Sequence, residues 1–282
     1  MPAIENLTKL PNTTQLGTQM VFVFPISIKV ADDSFLHIGG TSSPLTEKKQ
    51  PVFSVDGRPV IPASSFKGAL RQQVENLLIQ KRDRLAQLLG LTGSQTELLK
   101  PSIPAPRPSK AEQELFGRGY RKEPSEIKVE DDRVKVPING LCPVSYFFGA
   151  TGLEGYLYIP NFFPGPAEWR IDQTRIRIDR KSQTAAPGAI VTGEQVKPGS
   201  VFKGEIRILA ERHGASFGRC RTIGGTKVDL WLDNWAESDD EKRALLLINE
   251  VLIPSLNNIA LLGGQKSLGG GRITISYSAG SS

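Results

Sequence analysis

Two stretches of the chain repeat apolar residues at the helical interval, and nearly all the remaining long apolar text is β-branched. Residues 64–79 set Phe66, Leu70, Val74, Leu77 and Leu78 on one stripe. Residues 240–262, "DEKRALLLINEVLIPSLNNIALL", open on acids and either end near Pro254 or continue past it as a second piece. Strand-like segments surround these helices. "MVFVFPISIKV" (20–30) predicts a first strand, with Pro25 at a bulge or an edge position. "FLHIGGT" (35–41) is a short apolar run ending in a glycine pair. "EGYLYIPNFF" (154–163) and "SVFKGEIRILAE" (200–211) read as strands, and a last strand follows the glycine-rich "LGGQKSLGGGR". The order is strand, strand, helix, excursion, several strands, helix, loop, strand. That order predicts an α+β sheet domain of the split βαβ, ferredoxin-like kind.

Three segments stand outside this plan. Residues 1–19 are polar with a Pro-Asn turn signal and read as a loose N-terminal arm, and "TSSPLTEKKQ" (41–50) reads as a flexible loop. From about 80 to 145 the text carries a second helical patch (82–90), the Pro-rich "KPSIPAPRPS" (100–109) and mixed charge, which marks an insertion. No repeat of fixed period is visible, and residues 1–282 are read as a single domain. The balance of 35 Lys and Arg against 29 Asp and Glu gives +6, which admits a nucleic-acid partner without requiring one. The two cysteines, Cys142 and Cys220, are far apart, so neither a disulfide framework nor a Cys-based zinc site is expected. A reducing cytoplasm fits that usage. With no signal-peptide pattern and no bilayer-length apolar run, no membrane partner is expected.

Three constellations can carry chemistry. In "VIPASSFKGALR" (60–71), Ser64 or Ser65 can cap the helix, and the free amides of its first turn form an anion site. Lys67 and Arg71 lie one turn apart on one face. Cations early in a helix oppose its dipole unless an anion is bound there. The segment is therefore either a phosphate site or a capped core helix with two solvated cations. In "GGQKSLGGGR" (263–272), Gly263, Gly264, Gly269, Gly270 and Gly271 let a ligand approach the backbone, while Lys266, Ser267 and Arg272 add donors. The stretch lacks the Gly-Lys-Ser/Thr ending of a Walker loop, and a strand follows it where a dinucleotide fold has a helix. It is either a phosphodiester-binding turn or a mobile hairpin loop. In "TRIRIDR" (174–180), Arg175 and Arg177 share one face opposite Ile176 and Ile178, and Arg180 closes the run. The segment that follows, with its small residues and Pro-Gly turn, predicts a protruding hairpin or arm at about 180–199.

Catalytic patterns are sparse. His37 lies in an apolar run and reads as packed, and His213, in "ERHGASFGR", reads as exposed. Asp32-Asp33 and Asp131-Asp132 have no second ligand cluster near them in sequence, so no catalytic residue and no metal ligand is assigned.

Taken in order, "LHIGG", "VIPASSFKGALR", "FFGATGLEGYLYIPN", "RIDR", "PGSVFKGEI" and "LLGGQKSLGGGRITI" resemble the RAMP superfamily. More narrowly, they resemble the backbone subunits of type III CRISPR effector complexes, over about residues 21–277 with the 80–145 segment as an insertion. "ELFGRGY" (114–120) competes for the phenylalanine-glycine motif, and Phe147-Phe148-Gly149 is preferred because strand text follows it. The resemblance implies a modified ferredoxin-like, RRM-like fold whose copies stack along a guide RNA. It carries guide-backbone contacts onto Ser64, Ser65, Lys67 and Arg71, and onto Gly263, Gly264, Ser267, Gly269, Gly270, Gly271 and Arg272. Residues of about 180–199 correspond to the family's thumb, a hairpin that wedges between guide–target base pairs. The implied partners are CRISPR guide RNA, target RNA, other RAMP subunits and the large subunit of the complex. Target-cleaving members carry an aspartate in the loop before the "PV" strand, where it supports metal-dependent cleavage. Here that position is Lys49 and the only carboxylate of the loop is Glu47. A lysine cannot bind Mg²⁺. Unless Asp32, Asp33 or Asp56 substitutes, the expectation is RNA binding without cleavage and with no cofactor. Mg²⁺ would enter only with a cleavage site. The alternative is a RAMP endonuclease that processes or cleaves RNA, using His37 or His213 as general acid–base.

Overall fold

From Phe24 to Val30 every second residue is buried, and the residues between them stay partly exposed, which sets one face of a strand against a core. The computed structural model describes residues 4–40, 51–102, 114, 119–121, 125–130, 133–166 and 169–277, with the side chains of 129, 130, 133, 177 and 186–191 left aside. Its strands, short hairpins apart, are β1 (Thr13–Leu16), β2 (Gln19–Val30), β3 (Leu157–Tyr158), β4 (Phe163–Pro164), β5 (Arg170–Ile178), β6 (Ala185–Val196), β7 (Val201–Leu209) and β8 (Ile273–Tyr277). β2 pairs with β7 along one edge, and its other edge is shared between β1 and β8. β3 and β4 pair with the far edge of β7. Every strand pairing within this sheet is antiparallel, and the order β8–β2–β7–β3/β4 is the expected split βαβ arrangement.

Pro25 is neither at a sheet edge nor at a bulge: it stands in register with Glu205 in the central strand. The amide of Val23 points to the edge shared by β1 and β8, bonding Asn12 O at 3.1 Å. Residue 25 therefore faces the same edge, at the seam between the two partner strands, where its missing N–H is not needed.

The helices are α1 (Ala63–Gln80), α2 (Arg82–Leu88), α3 (Pro143–Phe148), α4 (Asp240–Leu247) and α5 (Ile253–Asn257). Asp239 caps α4, accepting from Glu241 N at 2.9 Å and Lys242 N at 3.3 Å. A π turn, Ile248–Leu252, joins α4 to α5, so the rod runs through Pro254. The wider turn falls where proline interrupts the normal ladder. The stripe of α1 (Phe66, Leu70, Val74, Leu78) and Val251, Leu252 and Leu256 pack with Phe24, Ile26, Phe202 and Ile206 in one core. Each such side chain, fully buried, contributes about 1.5–3 kcal/mol.

Three further expectations change. The arm is not loose. Asn257 pairs through its amide with Ile4 N and O at 2.8 Å each, and Asn249 does the same with Leu7 at 2.8 and 2.9 Å. Residues 13–16 then form β1. The 80–145 insertion is narrower than its composition implies, because Leu85, Leu89, Leu91, Leu99, Cys142 and Val144 belong to the main core. What remains apart is a small cluster around Ile127, Leu141, Leu153 and Val228. The thumb-like hairpin begins before residue 180: β5 is its first strand and β6 its second, with Ile190–Val196 pairing onto Arg170–Ile176. Its turn is made by Asp179, whose Oδ1 accepts from Lys181 N at 2.8 Å and Ser182 N at 2.9 Å. The Pro-Gly pair (187–188) falls instead where the register shifts between Ala185 and Ile190.

Candidate nucleic-acid interface

Neither Ser64 nor Ser65 caps α1. Pro62 is the N-cap, extended at φ −62° and ψ 142°, and its carbonyl accepts from Ser65 N at 3.1 Å and Phe66 N at 3.2 Å. The amide of Ala63 goes to Asn161 Oδ1 at 2.8 Å. Of these first amides only that of Ser64 lacks a partner among the described residues. The serines therefore stand inside the first turn, Ser64 exposed and Ser65 partly so, with no capping role. Asn161 ends "YLYIPN", and this cap is invisible in sequence because it comes from 98 residues away.

The serines open onto a cleft of about 520 Å³. One wall is α1, with Ser64, Ser65, Gly68 and Gln72, and the other is Gly263, Gly264 and Lys266, with Ile38 and Gly39 at the base. The folding thus brings the helix start, the "IGG" turn and the glycine-rich loop to one groove. Gly68 was missed by pattern reading. A glycine inside a helix costs about 0.5–1 kcal/mol relative to alanine. A Cβ at Gly68 would meet nothing within 4 Å, so no packing among the described residues requires it.

The glycine-rich loop is packed, not a mobile hairpin. A Cβ at Gly263 would stand 2.5 Å from His37 O, and one at Gly270 2.6 Å from the Phe35 ring. The amides of Gly264, Gly270 and Gly271 bond His37 O, Gln265 O and Phe35 O at 2.8, 3.2 and 2.7 Å. Those of Leu268 and Gly269 close the turn Lys266–Leu268. Most loop amides are therefore spent internally, and the side-chain donors lining the groove include Lys266, the serine hydroxyls and the amides of Gln72 and Gln73. Ser267 lies within that turn.

Lys67 and Arg71 do not join this groove. They lie on the other flank of α1 and line a separate pocket with Gly149, Gly152, Gly155 and Arg212. The two cations therefore line a different pocket from the first-turn serines. Residues 67 and 71 are offset around the helix from 65 and 72. Arg71 Nε donates to Glu75 Oε1 at 3.0 Å. Burial, then the neighbouring Arg71, holds the Lys67 ammonium below its usual range.

The remaining cations are scattered. Arg175 donates to Gln173 and to Gln265, which ties the hairpin to the glycine-rich loop. Arg180 is exposed in the hairpin turn, and the Arg177 side chain lies outside the described residues. Arg272 is held by Asp33, and Asp32 pairs with Lys29 at 2.8 Å. Asp56 turns the hairpin after Val55 at φ 48°. Glu47, Lys49 and Asp131-Asp132 lie outside the described residues, as does most of "ELFGRGY". Among the described residues no three His, Cys, Asp or Glu side chains converge as a metal group. Nor is any described helix long and apolar enough to cross a membrane. His37 Nδ1 lies 2.9 Å from Glu194 O, and His213 sits at φ 50° in the turn of the 211–216 hairpin. Burial, then Arg212, lowers the His213 pKa.

No curated protein matches this sequence. Among the solved structures that resemble the fold, two come from type III-B complexes. One is a chain of the type III-B Cmr-β complex bound to cognate target RNA, seen by cryo-EM: 14% identity, TM-score 0.44, covering 92% of this chain and 61% of that one. The other comes from the apo state of type III-B Cmr-β, with 16% identity and TM-score 0.42, over 91% and 97%. This chain thus spans 61% of the length of the first. The sequence also matches the model of the RAMP superfamily over residues 33–274, and the chain belongs to that superfamily.

Proposed function

We propose that this protein is a guide-RNA-binding backbone subunit of a type III CRISPR interference complex. It helps to capture target RNA in antiviral defence, beside other RAMP subunits and the large subunit, and does not cut RNA itself. One observation carries the reading: the groove between the first turns of α1 and the 263–266 turn, with Ser64, Ser65, Gly68, Gly264 and Lys266 along it. It is lined by hydroxyls, a lysine and small residues, which suits a phosphodiester backbone passing close to the main chain. Superfamily membership supports it, as does the ordered set of motifs. Absence of cutting rests on Lys49 at the expected aspartate position. Asp33, the nearest acid in sequence to the "LHIGG" run, is engaged by Arg272.

Binding of a labelled single-stranded guide repeat RNA by the full chain, followed across salt concentration with Mg²⁺ present, tests this. Wild type is expected to bind and leave the RNA intact. Lys266→Ala should weaken binding and flatten the log–log salt slope by about 0.7, the value for one phosphate of a single strand. No binding at low salt, or cleavage of the bound RNA, overturns the proposal.

A further inference from the structure

The pocket on the far flank of α1 has a volume of about 770 Å³ and a composition unlike the groove. Lys67, Arg71 and Arg212 line it; Arg71 is held by Glu75, and Arg212 by Glu154, which is itself 78% exposed. Lys67 has no carboxylate partner among the described residues, although it is half-buried. Arg212 Nε is buried and has no hydrogen-bond partner among the described residues. A half-buried lysine beside an arginine is unfavourable without an anion between them.

The floor is the turn after α3. A Cβ at Gly155 would stand 2.3 Å from Phe147 O, and one at Gly152 2.5 Å from Ile127 O. Glycine at these two positions lets the turn pack directly against those two carbonyls. The amides of Gly152, Glu154 and Gly155 have no partner among the described residues. The turn is rigid: Ala150 and Leu153 exchange bonds at 2.8 and 3.1 Å, and Arg221 Nη1 holds Glu154 O at 2.9 Å. Arg221 is in turn locked on Asp229 at 2.7 and 2.9 Å, both fully buried. At the mouth stands Tyr158, 50% exposed, with the Arg207 guanidinium 5.5 Å from its ring centre.

We propose that this pocket holds one nucleotide of a single-stranded RNA, its phosphate between Lys67 and Arg212 over the glycine turn and its base against Tyr158. The idea rests on the RNA-binding reading but assigns a site separate from the groove. An acidic peptide would satisfy the cations and leave the aromatic platform unused. A nucleotide uses both, and the pocket falls within the roughly 300–1,000 Å³ of small-ligand sites.

A single-stranded RNA carrying 2-aminopurine, titrated into the full chain, tests it. Stacking on Tyr158 should quench the fluorescence. Tyr158→Ala is expected to abolish the quench and weaken binding roughly tenfold, while Tyr158→Phe retains both. Lys67→Ala and Arg212→Lys should weaken binding, and Lys67→Ala should flatten the salt slope by about 0.7. Lys266→Ala, in the groove, should weaken binding and leave the quench. Melting followed by circular dichroism identifies any variant that merely unfolds. A normal quench in Tyr158→Ala overturns the pocket, as does unchanged affinity and slope in Lys67→Ala. If Lys266→Ala still weakens binding in those cases, the groove reading survives alone. Failure of wild type to bind RNA at low salt removes both.

Discussion

Gly68 separates stability from function more sharply than any other residue of the groove. It sits in the second turn of α1, at a negative φ, with open space where its Cβ would be. Gly68→Ala is therefore expected to stabilise the fold by about 0.5–1 kcal/mol, read as an upward shift in a urea midpoint. The added methyl group would protrude into the groove. Guide RNA affinity should fall by about 1–3 kcal/mol, the usual penalty of overpacking. Unchanged RNA affinity in the stabilised variant would show that no backbone passes over residue 68. The two serines four and three places earlier were legible as special, but for the wrong reason. Their types match caps, yet Pro62 takes the cap position and Asn161 the amide of Ala63.

Among the elements, the N-terminal arm shows how side chains can stand in for a missing strand. Asn249 and Asn257 lie on the α4–α5 rod, one in the π turn and one at its end. Each presents a donor and an acceptor that pair with one arm residue as a neighbouring strand would, while Ile4 is buried and Leu7 and Leu10 pack on the core. Composition alone reads residues 1–19 as loose, since the residues that order them come from 242 and 253 positions away. Two bonds at about 0.5–1.5 kcal/mol each make every Asn→Ala change worth about 1–3 kcal/mol. The double variant Asn249→Ala, Asn257→Ala should lose amide-exchange protection at residues 4–10 and leave β2, β7 and β8 protected. Protection retained at Ile4 and Leu7 would mean that apolar packing alone holds the arm.

In the molecule as a whole, local periodicity located the elements and long-range contacts decided the sites. The stripe on α1, the alternation of β2 and β7 and the order of the motifs were legible because side-chain period follows backbone geometry. The division of α1 into two flanks that line separate pockets was not, because it depends on which distant loops cover each flank. The same holds for the hairpin, whose base is clamped from two sides. Arg170 reaches Ser54 Oγ at 2.8 Å, Gly57 O at 2.7 Å and Glu194 Oε1 at 3.5 Å. On the other side Gln265 accepts from Arg175 and, at 3.1 Å, from Gln195. Gln265 has φ 60°, a left-handed conformation that a non-glycine residue adopts at a cost of about 1–2 kcal/mol. Replacing it with glycine would relieve that strain and remove the link between the glycine-rich loop and the hairpin. Gln265→Gly should therefore leave the global melting transition within about 1 kcal/mol of wild type. Amide exchange at 171–176 and 190–195 should accelerate, by about fivefold or more if at least 1 kcal/mol of local bonding is lost. Bound guide RNA, which the wild-type loop would couple to the hairpin through Gln265, should no longer slow exchange there in the variant. Equal protection of the hairpin by RNA in both proteins would place the coupling elsewhere, with the Arg170–Glu194 side of the base as its remaining route.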